Sequence, residues 1–196
     1  MNRLLPFFLI FFMVGCAGSG TTEGTEPGDS EPIPEDATYD EDELLFEAGN
    51  FFGEGAKGLA DILNKTFSEQ GRPNGYITGQ EVGGAFAVGV RYGNGMLHLK
   101  NGATRKVYWR GPSIGFDIGG NASKAFILIY DLPAMGAIFQ RFPGVEGSLY
   151  FIGGVGVNYN EAGGIILAPV RFGVGWRQGI NVGYLHVSDK KSWVPF

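Results

Sequence analysis

The stretch LAPVRFGVGWRQGINVGYLHV, residues 167–187, sets the architecture. Val170, Phe172, Val174 and Trp176 alternate with Arg171, Gly173, Gly175 and Arg177. A period of two predicts a strand, not a helix. The same alternation stands upstream, where Ile114, Phe116 and Ile118 interleave with Ser113, Gly115 and Asp117. Further β-rich runs are AFAVGVRY, MLHLK, KVYW, AFILIY, SLYFIGGVGV and INVGYLHV, and Asn94-Gly95 and Asn101-Gly102 carry hairpin chemistry. Glycine recurs within these runs at 115, 119, 153, 154, 156, 173, 175 and 183. A glycine weakens an ordinary strand, so its repetition points to tight coiling or to close approach of another element. The expected fold class is mainly β (α+β): a small, strongly curved antiparallel β-barrel or sandwich.

Three helices are expected around it. Thr38-Tyr39-Asp40-Glu41 has capping-box spacing before a stripe of Leu44, Leu45, Ala48, Phe51 and Phe52. A second helix is expected from about Gly55, with Ala56, Leu59, Ala60, Leu63 and Phe67 as its stripe and Gly71-Arg72-Pro73 as its stop. An inserted helix would begin near Asp131 and Pro133, carry Met135, Ile138, Phe139 and Phe142, and end at Pro143-Gly144.

The chain has 196 residues, enough for one folded unit, with 44% hydrophobic and 18% charged residues. It opens MNRLLPFFLIFFMVGC. One basic residue and eleven apolar ones make a signal segment too short to span a bilayer. Met13-Val14-Gly15-Cys16 resembles a bacterial lipobox, and Cys16 is the sole thiol, without an intramolecular disulfide partner. The expected division is a signal peptide over 1–15, a lipidated Cys16 leading a disordered acidic tether over 16–37, and a β domain over 38–196. Ala17 after the Cys implies outer-membrane sorting, by resemblance to Gram-negative lipoproteins.

Charge is divided along the chain. Residues 17–47 hold eleven acids and no Lys or Arg; from Ala48 onward 14 basic residues stand against nine acidic ones, a formal +5. That excess suggests an anionic lipid, glycan or envelope-protein partner, with Arg91, Arg105, Lys106, Arg110, Arg171 and Arg177 as contacts. No nucleic-acid partner, cofactor or metal is expected. Two His and one committed Cys are too few for a metal cage, and Asp40-Glu41-Asp42-Glu43 lacks a calcium loop's glycine.

Other motifs fit less well. Gly111-Pro112-Ser113-Ile114-Gly115 has nucleophile-elbow spacing, and Ser113, Asp131 and His186 follow hydrolase order. The strand pattern after Ser113 contradicts the required strand-turn-helix, so a structural turn at a strand start is expected. Gly53-Glu54-Gly55-Ala56-Lys57-Gly58 has dinucleotide-fingerprint spacing, but a helix precedes it rather than a strand. Ser113 and Asp117 form a candidate polar site. Terminal Phe196 is common to outer-membrane barrels, yet Ser188-Asp189-Lys190-Lys191-Ser192 breaks the last strand. A barrel of about eight strands is either filled by side chains or holds a small hydrophobic ligand.

From Tyr39 to Phe196 the chain resembles the envelope integrity protein A family of Gram-negative bacteria. The blocks that carry it are FFGEGAKGLADIL, GRPNGYITGQEVGGAFAVGVRYGNGML, KVYWRGPSIGFDIGGNASK, FPGVEGSLYFIGGVGV, LAPVRFGVGWRQGINVGYL and WVPF. The resemblance implies a small periplasmic β-barrel linked to envelope integrity, with no assigned enzymatic activity. The lipobox departs from relatives that carry a plain signal peptide. Trp109, Pro112, Ser113, Gly115, Asp117 and Gly119 are also similar to a stretch of the SYLF lipid-binding domain, which implies a lipid-facing role.

Overall fold

The computed structural model describes residues 29–53, 58–117, 122–172, 183–192 and 194, with only the backbone path over 84–88 and 113–117. Cys16, Ala56, Ile118, Gly119, the run 173–182 with Arg177, and Phe196 lie outside the described residues.

Two helices lead, α1 (Glu41–Phe52) and α2 (Leu59–Gln70). The strands follow as β1 (Gly75–Leu99), β2 (Thr104–Asp117), β3 (Ser123–Tyr130), β4 (Arg141–Pro143), β5 (Tyr150–Ile152), β6 (Val155–Val157), β7 (Asn160–Ala162), β8 (Ile165–Phe172) and β9 (Tyr184–Ser188). All described pairs are antiparallel, in the order β4-β9-β2-β1-β3-β8-β6-β5, with β7 also on β8. The sheet curls into a half-barrel whose two sides touch at one end. There Gly144, just past β4, bridges Asn160 on β7, and the Val145 N–H donates to the Tyr159 carbonyl at 2.9 Å.

Strand β1 explains the tight curl. Fully straight, 25 residues would span about 80 Å. Instead the strand doubles back: the Lys100 N–H donates to the Asn74 carbonyl at 3.2 Å, and Tyr76 stacks on His98 with centroids 4.8 Å apart. Asn94-Gly95 is therefore not a hairpin turn. Both residues are extended and register with Tyr108 and Val107 of β2. The Asn101-Gly102 signal does mark a turn, between β1 and β2.

Other expectations are corrected. Gly111-Pro112-Ser113 begins no strand; it lies inside β2, with Pro112 opposite Val90 and beyond Arg110, the last residue registered to β9. SLYFIGGVGV is two strands, not one, because Gly153 (φ 56°) and Gly154 (φ 85°) make the turn between β5 and β6. Gly163 (φ 59°) and Gly164 (φ 82°) repeat the device between β7 and β8. Two successive positive φ angles are the signature of a type I′ turn, whose twist matches antiparallel strands. The inserted helix is only a single 3-10 turn, Met135–Ile138. Asp131 sits at φ 57° and does not cap it, and Phe142 belongs to β4.

The helices shift as well. Asp40, not Thr38, is the N-cap of α1, with the Glu43 carboxylate accepting from the Asp40 N–H at 2.8 Å. The Thr38 hydroxyl instead accepts from Arg72 Nε at 3.0 Å. Helix α2 starts at Leu59 and buries Leu59, Ile62, Leu63 and Thr66, leaving Ala60 exposed. Its stripe keeps helical period but is rotated from the expected one.

Both faces of the curled sheet are used. Ile77, Leu97, Val107, Trp109, Ile127, Ile129, Phe142, Leu167, Leu185 and Val187 pack together as one cluster. Tyr76, Phe126, Leu128, Ala168 and Val170 make the opposite face, covered by Leu44, Ala48, Ile62 and Leu63 of the helices. Strand β3 is thus buried on both sides from Ala125 to Tyr130, which accounts for its unbroken apolar run.

Residues 29–37, expected in the tether, are packed on the barrel. Pro32 bridges Ala134, the Ile33 N–H donates to the Pro133 carbonyl at 2.8 Å, and the Gly136 N–H donates to the Asp29 carbonyl at 2.8 Å. Ile33, the stretch's only large aliphatic residue, is buried in the inner cluster. That apolar contact is what a purely compositional reading of the acidic tail overlooks.

Candidate functional site

Inside the barrel, next to the apolar cluster, lies a polar knot. Glu81 on β1 is 1% exposed. Its Oε1 accepts from Trp109 Nε1 at 2.7 Å and from Arg171 Nη2 at 3.0 Å; its Oε2 accepts from Arg171 Nε at 2.8 Å and Arg91 Nη1 at 3.2 Å. Two bonds per oxygen satisfy the carboxylate. Arg171 Nη1 then donates to Asn158 Oδ1 at 3.1 Å, Asn158 Nδ2 to Asn160 Oδ1 at 2.9 Å, and Asn160 Nδ2 to the Phe142 carbonyl at 3.1 Å. The chain of bonds runs across the lumen from β1 and β2 through β8 to β7 and β4. Burial alone would raise the Glu81 pKa. The Arg171 and Arg91 charges, with hydrogen bonds from Arg171 and Trp109, overcome that penalty and hold it at about 2.

Trp109 reaches this position because glycine floors it. A Cβ at Gly93 would stand 2.0 Å from the indole, and one at Gly79 would stand 2.6 Å from it. Any larger residue would push the ring out of reach of Glu81.

The knot removes Arg91 and Arg171 from the expected surface contacts: both are buried and ion-paired to Glu81. Arg105 is half-buried, pairs with Asp29, and lies over the Phe139 ring. Lys106 is exposed, over the Tyr108 ring at 5.5 Å. Arg110 lies in β2 opposite His186. Arg177 is outside the described residues, and of the Ser113 and Asp117 pair the backbone alone is placed, opposite Gly89 and Ala85.

The hydrolase constellation does not assemble. Asp131 follows β3 at the end where Asn74 meets Ile129 and Lys100. Ser113 registers with Gly89, ten residues back along β1 from Leu99, about 30 Å at strand rise. His186 faces Arg110 and Arg141 rather than a carboxylate. The glycine fingerprint fails too, since Gly58 is the N-cap of a helix that follows another helix. Among the described residues no group of three or more His, Cys, Asp or Glu could hold a metal, and no helix is long and apolar enough to cross a membrane.

Sequence reasoning missed three features. One is Glu81; a lone acid within GYITGQEVGG was the available signal. The second is the Asn158–Asn160 relay. The third is Arg141, which lies in the segment read as a helix and shares a cross-strand row with His186 and Arg110. Among the described residues, none in the helix-covered cluster comes from β2, β9 or β4. Beside the row, Val82, Tyr92, Asn94, Tyr108, Arg110, Ser188, Lys191 and Ser192 border a cleft of about 160 Å³, and none of its described lining residues is a carboxylate.

A small curled β-barrel, helix-covered on one outer face and cross-braced inside, is the class these features define. The chain belongs to the envelope integrity protein A family, whose model matches residues 37–196. That membership gives it a role in the cell envelope. It is similar to a β-barrel-like, uncharacterized protein of Brucella abortus known from a crystal structure. The two share 43% identity over 81% of this chain and 99% of that one, with a TM-score of 0.74. A comparison with curated proteins finds no match.

Proposed function

We propose that the mature protein is lipid-anchored through Cys16 on the periplasmic side of the outer membrane. There it acts without catalysis, by binding an anionic envelope lipid, glycan or protein. The carrying observation is the one-sided helical cover. Among the described residues neither helix joins a cluster with β2, β9 or β4, the strands that carry Lys106, Arg110, His186 and Arg141. Several acyl chains on one Cys make a stable anchor where a single chain is marginal. The absence of an assembled Ser113–Asp131–His186 set supports a binding role.

Two measurements test this. Intact mass of the mature chain from cells should show cleavage before Cys16 plus acyl mass, and Cys16→Ser should release the protein from the membrane fraction. An unacylated terminus rejects the anchor. The purified chain should also bind phosphatidylglycerol vesicles at low salt and lose affinity as salt screens the contact. No binding at low salt rejects the anionic partner.

A further inference from the structure

Resting on the anionic-partner reading, we infer that Arg110, His186 and Arg141 form a specific site for a phosphate group, and that occupancy is coupled to protonation of His186.

The three residues are direct cross-strand neighbours: Arg110 of β2 opposite His186 of β9, and His186 opposite Arg141 of β4. Adjacent strands lie about 4.8 Å apart, so three basic side chains sit in a row spanning roughly 10 Å. Like charges directly opposed across a sheet are destabilising. The row persists although neither Arg110 Nε nor His186 Nδ1, both shielded from solvent, has a hydrogen-bond partner. Arg141 stacks over Tyr184 at 5.0 Å, which holds its guanidinium on this face. Tyr184 and Ser188 flank His186 along its own strand, and the Ser188 hydroxyl donates to the Lys190 carbonyl at 3.0 Å.

A phosphate on this row, where Arg141 is exposed, offsets the like charges set side by side. Guanidinium groups match phosphate oxygens in a bidentate way. Arg110 also borders the cleft with Lys191 and two serines, leaving room for whatever carries the phosphate. Among the described residues, the charged groups facing His186 are Arg110 from β2 and Arg141 from β4. Together with burial, which is the largest cause, they push its pKa below the ordinary value. A bound phosphate reverses the sign of that field and draws a proton onto the ring. Binding therefore takes up a proton and tightens as pH falls.

The chain has two histidines, so the test has its own control. His98 stacks on Tyr76 and lies within 3.3 Å of the Thr78 hydroxyl. Imidazole NMR titration of the full chain is run with and without inorganic pyrophosphate, and with vesicles of phosphatidic acid. His186 should titrate at least about one unit higher with pyrophosphate, the equivalent of about tenfold tighter binding to the protonated form. His98 should not move. Arg110→Gln and Arg141→Gln should each weaken pyrophosphate at least about fivefold. Each should also raise the His186 midpoint when no anion is present, which reports the geometry and verifies folding.

A response to both probes supports a site for the phosphate group itself, and a response to vesicles alone supports a lipid headgroup as its source. If neither probe shifts His186, or if His98 shifts equally, the site is overturned. Vesicle binding that persists with no His186 shift and no dependence on Arg110 or Arg141 sinks the site while leaving the anionic-partner reading intact. A pyrophosphate response without vesicle binding does the reverse for a lipid partner.

Discussion

At the scale of single residues, Glu81 concentrates the electrostatics of the barrel. It is a buried carboxylate between two guanidiniums, and such an arrangement costs most when only one member is removed. Glu81→Gln keeps the shape but leaves Arg91 and Arg171 facing a neutral amide. Urea denaturation should register a loss of about 3–5 kcal/mol. The pH dependence follows from the sign of the shift. Because folding depresses the Glu81 pKa to about 2, its contribution is fully present above the ordinary carboxylate value. It is lost as pH falls from there through 2. In Glu81→Gln that part of the acid profile should vanish; an unchanged profile would show that other carboxylates set acid stability.

At the scale of elements, glycine has opposite meanings in strands and helices. Gly154, at φ 85°, holds the β5–β6 turn, and Gly154→Ala should cost about 1–2 kcal/mol. Gly49 sits inside α1, where an added methyl meets nothing within 4 Å. Gly49→Ala should stabilise by about 0.5–1 kcal/mol. Thermal unfolding of the two variants should move in opposite directions, and shifts of the same sign would mean the local backbone has been misread. The same duality explains what was legible beforehand. The strand at Val170–Phe172, where the described part of the alternating run ends, and the stripe of α1 were readable because period alone carries them. The doubling of β1 was not, because Asn94-Gly95 has the chemistry of a turn while serving as a close-contact point. A Cβ on Gly95 would lie 2.3 Å from the Thr78 carbonyl. Arg171 was legible as a strand residue but not as a buried one. Its partner Glu81 is 90 residues away, and the pairing of β1 and β8 on either side of β3 brings them together. The single 3-10 turn was overcalled because Met135, Ile138, Phe139 and Phe142 mimic a helical stripe while Phe142 belongs to a strand.

At the scale of the whole molecule, the helices and the N-terminal strap divide the surface between them. One outer face is covered by α1 and α2, one end is crossed by residues 29–33, and among the described residues the helix-covered cluster takes none from β2, β9 or β4. The strap should behave as a local unit. Ile33→Ala should increase hydrogen exchange at the residue 33 amide, which donates to the Pro133 carbonyl, with little change in global unfolding. Exchange loosened equally in β3 would make the strap part of the cooperative core instead.

That strap gives the molecule a mechanical property. Among the described residues, the strap is held at Asp29 by a backbone bond to Gly136 and the ion pair with Arg105, and next at Ile33 by its bond to Pro133. These links yield one after another rather than together. Fully extended, Asp29 to Thr38 spans at most about 30 Å, and release of these links frees that length less the distance the strap already covers. Under the proposed Cys16 anchor, the strap would act as a fuse between leash and core, lengthening under a tug before the barrel is loaded.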